Sequence, residues 1–215
     1  MNNEENQKFM AIEEEKRERI INAAMTEFLN GFKKASTDNI VREAGISKGL
    51  LFHYFGTKEK LYNFLVDYAI DIVQAEYIDL FNTHQKDILD SIWQLSLLKQ
   101  DLSCKFPTIF EFLTRVYVDD KDCPAKEHLA RLYEIRAKMM QEVLSRCDKS
   151  LFKDDISHDK AINIIMMVMN GFSQQKVDSL AKDGIGQVAK DNYDSYLAEL
   201  KEYLDLLRQV FYKKS

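Results

Sequence analysis

The segment of residues 36–61 constrains the fold more than any other part of this 215-residue chain. Thr37 or Ser36 can cap a short helix that runs to Ala44, and Gly45 can take the left-handed conformation that ends a helix. Ser47 can cap a second short helix that ends near Phe55. Two short helices joined by a tight turn that contains glycine are typical of a helix-turn-helix.

The second of these helices carries side chains that do not suit a face turned only to water. At about 100° per residue, Leu51 and Phe55 lie on one side of this helix together with Ser47. The opposite side carries a glycine, two apolar residues and two aromatic residues with polar atoms: Gly49, Leu50, Phe52, His53 and Tyr54. Exposed rings beside a bare glycine backbone favour a helix that enters a DNA groove.

This segment also carries a family resemblance. Residues 44–61 read AGISKGLLFHYFGTKEKL and resemble the signature of the TetR family of bacterial transcriptional regulators. The resemblance implies phosphate contacts from Ser36, Thr37, Tyr54 and Lys58. It implies contacts with base edges from Lys48, Gly49, Leu50, Phe52 and His53. It also implies an all-α fold, in which a three-helix DNA-binding domain precedes a helical-bundle domain for ligand binding and dimerisation.

Two positions depart from the usual family pattern. Leu50 stands where Thr, Ser or Ala is usual, and Phe52 stands where Tyr is usual. Phe52 has no hydroxyl group to donate to a phosphate, so contact with a thymine methyl group is expected there. The alternative to DNA binding is a helical protein-interaction module, in which these aromatic rings contact another protein or domain.

Composition and charge agree with an all-α regulator. The chain is 46% hydrophobic with only 7 Gly and 2 Pro, which leaves little of what strands and turns require. The net charge is −5, yet residues 33–60 contain six basic and three acidic residues. A basic module attached to an acidic body is typical of a domain that reads DNA beside one that avoids it.

The sequence places the protein in the cytoplasm. The N-terminal residues are acidic and polar, without the apolar stretch of a signal peptide. The longest apolar run, residues 162–172, is too short to span a bilayer. Three widely spaced cysteines do not indicate a disulfide framework.

Apolar periodicity predicts helices along the rest of the chain. Residues 1 to about 10 are expected to be disordered, and a helix from Ala11 completes a DNA-binding domain of residues 11–56. Residues 57–215 then form the second domain, which begins with one long helix, 58–81. Further helices are predicted from His84 to about Leu102, after Pro107, from Pro124 to about Cys147, and over about 159–181 and 190–212.

The last two predicted helices have the features of a subunit interface. Residues 162–172 are apolar nearly all round the helix, so more than one side must be covered. The final helix carries apolar residues at alternating spacings of four and three: Tyr193, Leu197, Leu200, Leu204, Leu207 and Phe211. In the TetR family such helices pair between two subunits, and a two-fold dimer matches a palindromic DNA site. The alternative is that both stripes are filled within one chain.

A small-molecule pocket is the second functional expectation. Pockets in helical bundles are apolar with a few polar anchors. The residues with this chemistry are Trp93, Phe110, Tyr117, Met166, Met167 and Asn170. Asn163 and Asn170 lie seven residues apart on the most apolar helix, where a buried amide would need a ligand, water or a partner subunit. The effector is expected to be apolar or amphipathic.

Catalytic and metal-binding motifs are absent from the sequence. There is no P-loop, G-x-G-x-x-G, G-x-S-x-G or H-E-x-x-H, so no enzymatic activity, cofactor or metal is expected. Cys123 and His128 do not complete a four-ligand zinc site. Cys123 could cap the helix after Pro124 and act as a redox sensor, or be an ordinary loop cysteine.

Overall fold

A computed structural model describes residues 4–81, 85–118, 124–183 and 190–214 of the chain. Ten α-helices occur in these ranges, and the secondary structure there is otherwise one 3-10 helix, Lys149–Leu151, and one isolated antiparallel β-bridge between Phe152 and Tyr212. The helices are α1 Glu4–Met10, α2 Glu14–Phe28, α3 Thr37–Ala44, α4 Lys48–Phe55, α5 Lys58–Phe81, α6 Ile88–Lys105, α7 Pro107–Val118, α8 Lys126–Arg146, α9 His158–Asp183 and α10 Lys190–Phe211. The predicted all-α fold class is confirmed.

The chain divides into two compact units. The first comprises residues 1–75 and 106–133, and the second comprises residues 76–105 and 134–215. The predicted boundary between a DNA-binding domain of residues 11–56 and a second domain of residues 57–215 stays a prediction. An aromatic cluster joins three helices of the first unit, where the ring of Phe28 in α2 packs against Tyr62 of α5 at 4.9 Å and Phe112 of α7 at 6.4 Å.

Helices α2, α3 and α4 form the three-helix core of the first unit. Ile20, Ile21, Ala24, Met25 and Phe28 of α2 are buried, which is the apolar stripe that the sequence indicated. The buried residues of α3 are Ile40 and Ala44, and those of α4 are Leu51 and Phe55. Short helices with so few buried side chains depend on the helix beneath them for stability.

The expectation that residues 1 to about 10 are disordered is wrong for residues 4–10. They form α1, and Phe9 in this helix is completely buried. One large aromatic side chain removed from water contributes roughly 1.5–3 kcal/mol, which offsets part of the entropy lost on ordering the segment. The helix predicted from Ala11 is α2, which begins at Glu14 and is preceded by α1.

The second unit has its own core between α6, α9 and α10. Buried residues include Ile88 and Ile92 of α6, Ile165 and Met169 of α9, and Leu200 of α10. The predicted heptad-like seam of α10 lies against this core. Leu197, Leu200, Leu204 and Leu207 are buried, while Tyr193 and Phe211 are partly buried. The interpretation of this seam as the surface of a subunit interface is therefore wrong, because the chain itself covers it.

Candidate nucleic-acid interface

A sharp turn holds α3 and α4 at a fixed angle. Gly45 adopts φ +65° and ψ +38°, a left-handed conformation that glycine accepts without the steric cost of a Cβ atom. The amide of Ile46 then donates to the carbonyl of Val41 at 3.0 Å, which closes the end of α3. These are the features of a helix C-terminus that the sequence predicted at this glycine.

Hydroxyl groups cap the three helices that surround this turn. Ser36 Oγ accepts from the amide of Asn39 at 3.4 Å, so Ser36 rather than Thr37 is the cap of α3. Ser47 Oγ accepts from the amide of Leu50 at 3.2 Å, and Thr57 Oγ1 accepts from the amide of Lys60 at 3.1 Å. Each cap satisfies an amide that would otherwise lack a partner in the first helical turn.

Two side chains of α2 hold α3 in place. The Glu27 carboxylate accepts from the amide of Ser36 at 2.8 Å and from Asn39 Nδ2 at 3.3 Å. Arg19 Nε donates to the carbonyl of Ala44 at 3.0 Å, at the opposite end of α3. Sequence reasoning did not single out these tethers, because a Glu and an Arg on a helix surface give no signal of a distant backbone partner.

The outer face of α4 is open to solvent. Leu51 and Phe55 are buried, as the sequence predicted, whereas Lys48, Gly49 and His53 are exposed. The remaining three predicted DNA-contacting residues of this helix are partly buried: Leu50, Phe52 and Tyr54. The helix therefore presents a glycine backbone, an imidazole and the edges of partly buried side chains on one accessible surface.

Gly49 leaves the backbone of α4 bare on this surface. A Cβ atom built at this position meets no other atom within 4 Å. The fold of the chain itself thus provides no steric reason for a glycine here, although glycine costs helix stability relative to alanine. A close approach by an external molecule would provide that reason.

The basic side chains of the interface are engaged with groups of the same chain. Lys48 Nζ lies 2.7 Å from Asp38 Oδ1 in α3, and both side chains are exposed. Lys58 Nζ donates to the carbonyl of Ala35 at 2.7 Å and lies 4.8 Å from the centroid of the Phe32 ring. Asp38 was missed by sequence reasoning, which treated it only as an acidic residue in a basic region.

An exposed apolar stripe occurs in the second unit. It comprises Ile164 and Met167 of α9 with Tyr203, Leu206 and Val210 of α10. Met167 is 71% exposed and Leu206 is 56% exposed, which is unusual for such side chains in a folded unit. Asn163, Asn170 and Gly171 of α9 are also exposed, so none of the described residues covers the two amides that were expected to be buried.

The six residues predicted to bind a ligand fall in both units, and their role stays a prediction. Trp93 and Met166 are partly buried and pack against the core of the second unit. Phe110 and Tyr117 are partly buried residues of α7, which belongs to the first unit. Met167 and Asn170 are exposed, so they do not line a cavity inside the second unit.

The described residues contain no metal centre. No three His, Cys, Asp or Glu side chains are grouped there to hold an ion. His128 is close to Asp67, with 2.8 Å between Nδ1 and Oδ1, and Cys123 lies outside the described residues. None of the described helices combines the length and the apolar composition that crossing a bilayer requires.

The geometry of α2, α3 and α4 defines the class of the first unit. Helices α3 and α4 are joined by the turn at Gly45 and form a helix-turn-helix together with α2. The outer face of α4, the second helix of the motif, is accessible to solvent. Residues 20–64 match the family model described as bacterial regulatory proteins, tetR family. The predicted resemblance is confirmed over the helix-turn-helix segment, and the chain shares the fold of solved TetR-family regulators.

Solved structures share this fold over most of the chain. The ketosteroid transcriptional regulator KstR2 of Mycobacterium tuberculosis is 17% identical, with a TM-score of 0.60 over 94% of this chain and 97% of that one. The transcriptional regulator FadR from Bacillus subtilis, in complex with stearoyl-CoA, is 16% identical, with a TM-score of 0.58 over 88% and 96% of the two chains.

A transcriptional regulator from Pseudomonas aeruginosa is 14% identical, with a TM-score of 0.64 over 94% of both chains. No curated protein sequence matches the chain.

Proposed function

We propose that this protein is a DNA-binding transcriptional regulator of the TetR type, which represses genes from a palindromic operator in the cytoplasm. The observation that carries the proposal is the accessible face of α4, where Gly49 and His53 are exposed while Leu51 and Phe55 are buried. This is the arrangement of a recognition helix whose side chains meet base edges in the major groove. The proposal involves no enzymatic activity.

Gly49 offers a test that separates DNA contact from folding. Gly49→Ala should keep the fold and raise the free energy of unfolding by roughly 0.5–1 kcal/mol, because alanine favours a helix and its Cβ has free space. The same methyl group would stand between the helix and the bases, so affinity for DNA should fall about tenfold or more. The measurement is gel retardation with a duplex that the wild-type protein enriches from a randomised library.

The alternative function, a helical protein-interaction module, predicts a different result. Wild-type protein would then enrich no duplex from the library, and Gly49→Ala would change only stability. A salt titration of any complex adds a second criterion. Affinity that falls steeply with salt indicates phosphate contacts, which the proposal assigns to Ser36, Thr37, Tyr54 and Lys58.

We propose a homodimer formed by α9 and α10. The exposed stripe of Ile164, Met167, Tyr203, Leu206 and Val210 supports it, because soluble monomers rarely leave such side chains together in water. Exposed Asn163 and Asn170 could then bond with a second copy at the same surface. Two-fold symmetry would present two α4 helices to successive major grooves of one palindromic site.

The effector is proposed to be an amphipathic molecule that binds in the second unit and releases DNA. Two proteins of the same fold support this class of molecule. One is named a ketosteroid transcriptional regulator, and the structure of the other contains stearoyl-CoA. Trp93 and Met166 are candidate apolar contacts, whereas the exposed Met167 and Asn170 fit the dimer surface better than a pocket.

Lys99 supports an effector with an acidic group. Burial and the nearby charge of Arg136 together lower the pKa of Lys99, a partly buried residue of α6, to about 8. Among the described residues Lys99 forms no ion pair or hydrogen bond, so an anionic ligand would supply the missing counter-charge. A panel of fatty acyl-CoA esters and free fatty acids, titrated into the DNA complex, tests whether any of them releases the duplex.

A further inference from the structure

Phe9 connects α1 to the proposed recognition helix. Its side chain is completely buried, and its ring lies 5.4 Å from Tyr54 and 4.7 Å from Phe55, both in α4. It also meets Phe64 of α5 edge-on at 5.4 Å. Aromatic pairs at these distances and tilts add stability beyond that of the buried area.

The contact with Tyr54 reaches a side chain of the proposed interface. The rings of Phe9 and Tyr54 meet at 64°, and Tyr54 meets His53 in a similar arrangement at 5.5 Å. The hydroxyl of Tyr54 forms no hydrogen bond with any described residue, so it remains available to an external acceptor. Phe9 thus holds one side of a ring whose polar end is unpaired.

The segment that carries Phe9 is fixed to the DNA-binding domain at its end. Arg17 Nη1 donates to the carbonyl of Met10 at 2.9 Å, across the break between α1 and α2. Residue 9 lies outside the stretch of residues 20–64 that matches the family model. The packing of α1 on α4 is therefore a feature of this chain that the matched segment does not contain.

We propose that α1 contributes to DNA binding through Phe9. Phe9 is a positioning residue, which orients the Tyr54 side chain for hydrogen bonding to a DNA phosphate. The inference rests on the proposed function. The hydroxyl oxygen of Tyr54 lies on the long axis of its ring, so the direction in which Phe9 holds that axis decides where the hydroxyl lies. A smaller side chain at position 9 leaves the Tyr54 side chain free to swing about its Cα–Cβ bond, and the phosphate contact must then fix it at an entropic cost.

A double-mutant cycle tests this inference. The variants are Phe9→Leu, Tyr54→Phe and the two together, with Met10→Leu as the control for an exposed residue of the same helix. The probe is a labelled duplex enriched from a randomised library by the wild-type protein, and binding is measured by fluorescence anisotropy. Circular dichroism and thermal unfolding report on the fold of each variant.

Phe9→Leu should weaken DNA binding about tenfold in the wild-type background, and less than about twofold in the Tyr54→Phe background, because the hydroxyl is then already absent. Met10→Leu should leave affinity unchanged. Equal losses in both backgrounds would overturn the inference, since Phe9 would then support the fold in general, and so would no loss at all. A wild-type protein that enriches no duplex would instead overturn the proposed function, and the inference with it.

Discussion

Asp38 forms an ion pair with Lys48, a residue of the proposed DNA interface. Its carboxylate is 2.7 Å from Lys48 Nζ, and the two side chains are 70% and 51% exposed. Exposed pairs of this kind contribute only about 0–1 kcal/mol to stability. The pair therefore does little for the fold, but it places a negative charge beside a lysine that is proposed to contact base edges of DNA.

Asp38→Asn should strengthen DNA binding. The substitution releases Lys48 and removes a repulsive charge, so we expect affinity to rise about two- to fivefold at low salt, with a steeper dependence on salt. Anisotropy titrations at several salt concentrations measure both effects. Glu43→Gln removes an exposed charge from the same helix without touching Lys48, and an equal gain in that variant would contradict the role given to the pair.

At the level of residues, the sequence predicted the burial of side chains within a helix better than it predicted their hydrogen-bond partners. Leu51 and Phe55 are buried because helical periodicity within one short helix is a local property. The hydrogen bonds from Lys58 to the carbonyl of Ala35 and from the amide of Ser36 to Glu27 span 23 and 9 positions, and no local pattern encodes them. Exposed Met167 illustrates the same limit, because an apolar side chain on an apolar helix does not reveal which side the chain covers.

At the level of elements, the start of α6 is tied to the end of α10 by a single carboxylate. Asp87 Oδ1 accepts from the amide of Leu89 at 2.8 Å and from the hydroxyl of Tyr212 at 2.9 Å, while Oδ2 pairs with Arg208 at 2.6 Å. Burial raises the pKa of Tyr212, and its hydrogen bond and the charge of Asp87 raise it further. These effects keep the Tyr212 hydroxyl protonated, so that it can donate its hydrogen bond to Asp87.

Asp87→Ala should destabilise the second unit by about 3 kcal/mol. The change removes the cap of α6 and leaves the buried hydroxyl of Tyr212 and the Arg208 charge without this acceptor. Chemical denaturation followed by circular dichroism gives the free energy of unfolding. Asp90→Ala is the matched control, since Asp90 pairs with the same Arg208 at 2.6 Å but is more exposed, and its loss should cost less than about 1 kcal/mol.

Sequence patterns located most helices but not all of their limits. Helix α5 spans Lys58–Phe81 as predicted, because its apolar spacing is uninterrupted by Gly or Pro. Helix α8 begins at Lys126 rather than Pro124, and α6 at Ile88, while the predicted start at His84 lies outside the described residues. Helix α1 was missed because seven polar-rich residues have no helical signal apart from Phe9, whose aromatic contacts with Tyr54, Phe55 and Phe64 lie far along the chain.

At the level of the whole molecule, the proposed dimer depends on an apolar surface that no described part of the chain covers. Leu206→Glu places a charge in the middle of the exposed stripe and should convert the dimer to a monomer, because burying an unpaired carboxylate costs several kcal/mol. Analytical ultracentrifugation measures the mass. Operator affinity should fall about a hundredfold or more, since each half-site would be bound separately.

Gln94→Glu is the control for this prediction. It adds the same charge at an exposed position of α6, away from the stripe, and should alter neither mass nor DNA binding. A Leu206→Glu protein that remains dimeric would place the subunit contact elsewhere. The sequence indicated that α9 and α10 contact a partner subunit, but the stripe that it selected on α10 is buried within the chain. One helix can carry two apolar stripes, and periodicity does not show which of them faces the core and which faces a partner.

The uncovered stripe also has a consequence for gene dosage. If only the dimer binds an operator, the fraction of occupied operators at low expression rises with the square of the protein concentration. Halving synthesis would then reduce occupancy about fourfold in that range. A regulator built this way would respond to changes in its own production more sharply than one that acts as a single copy.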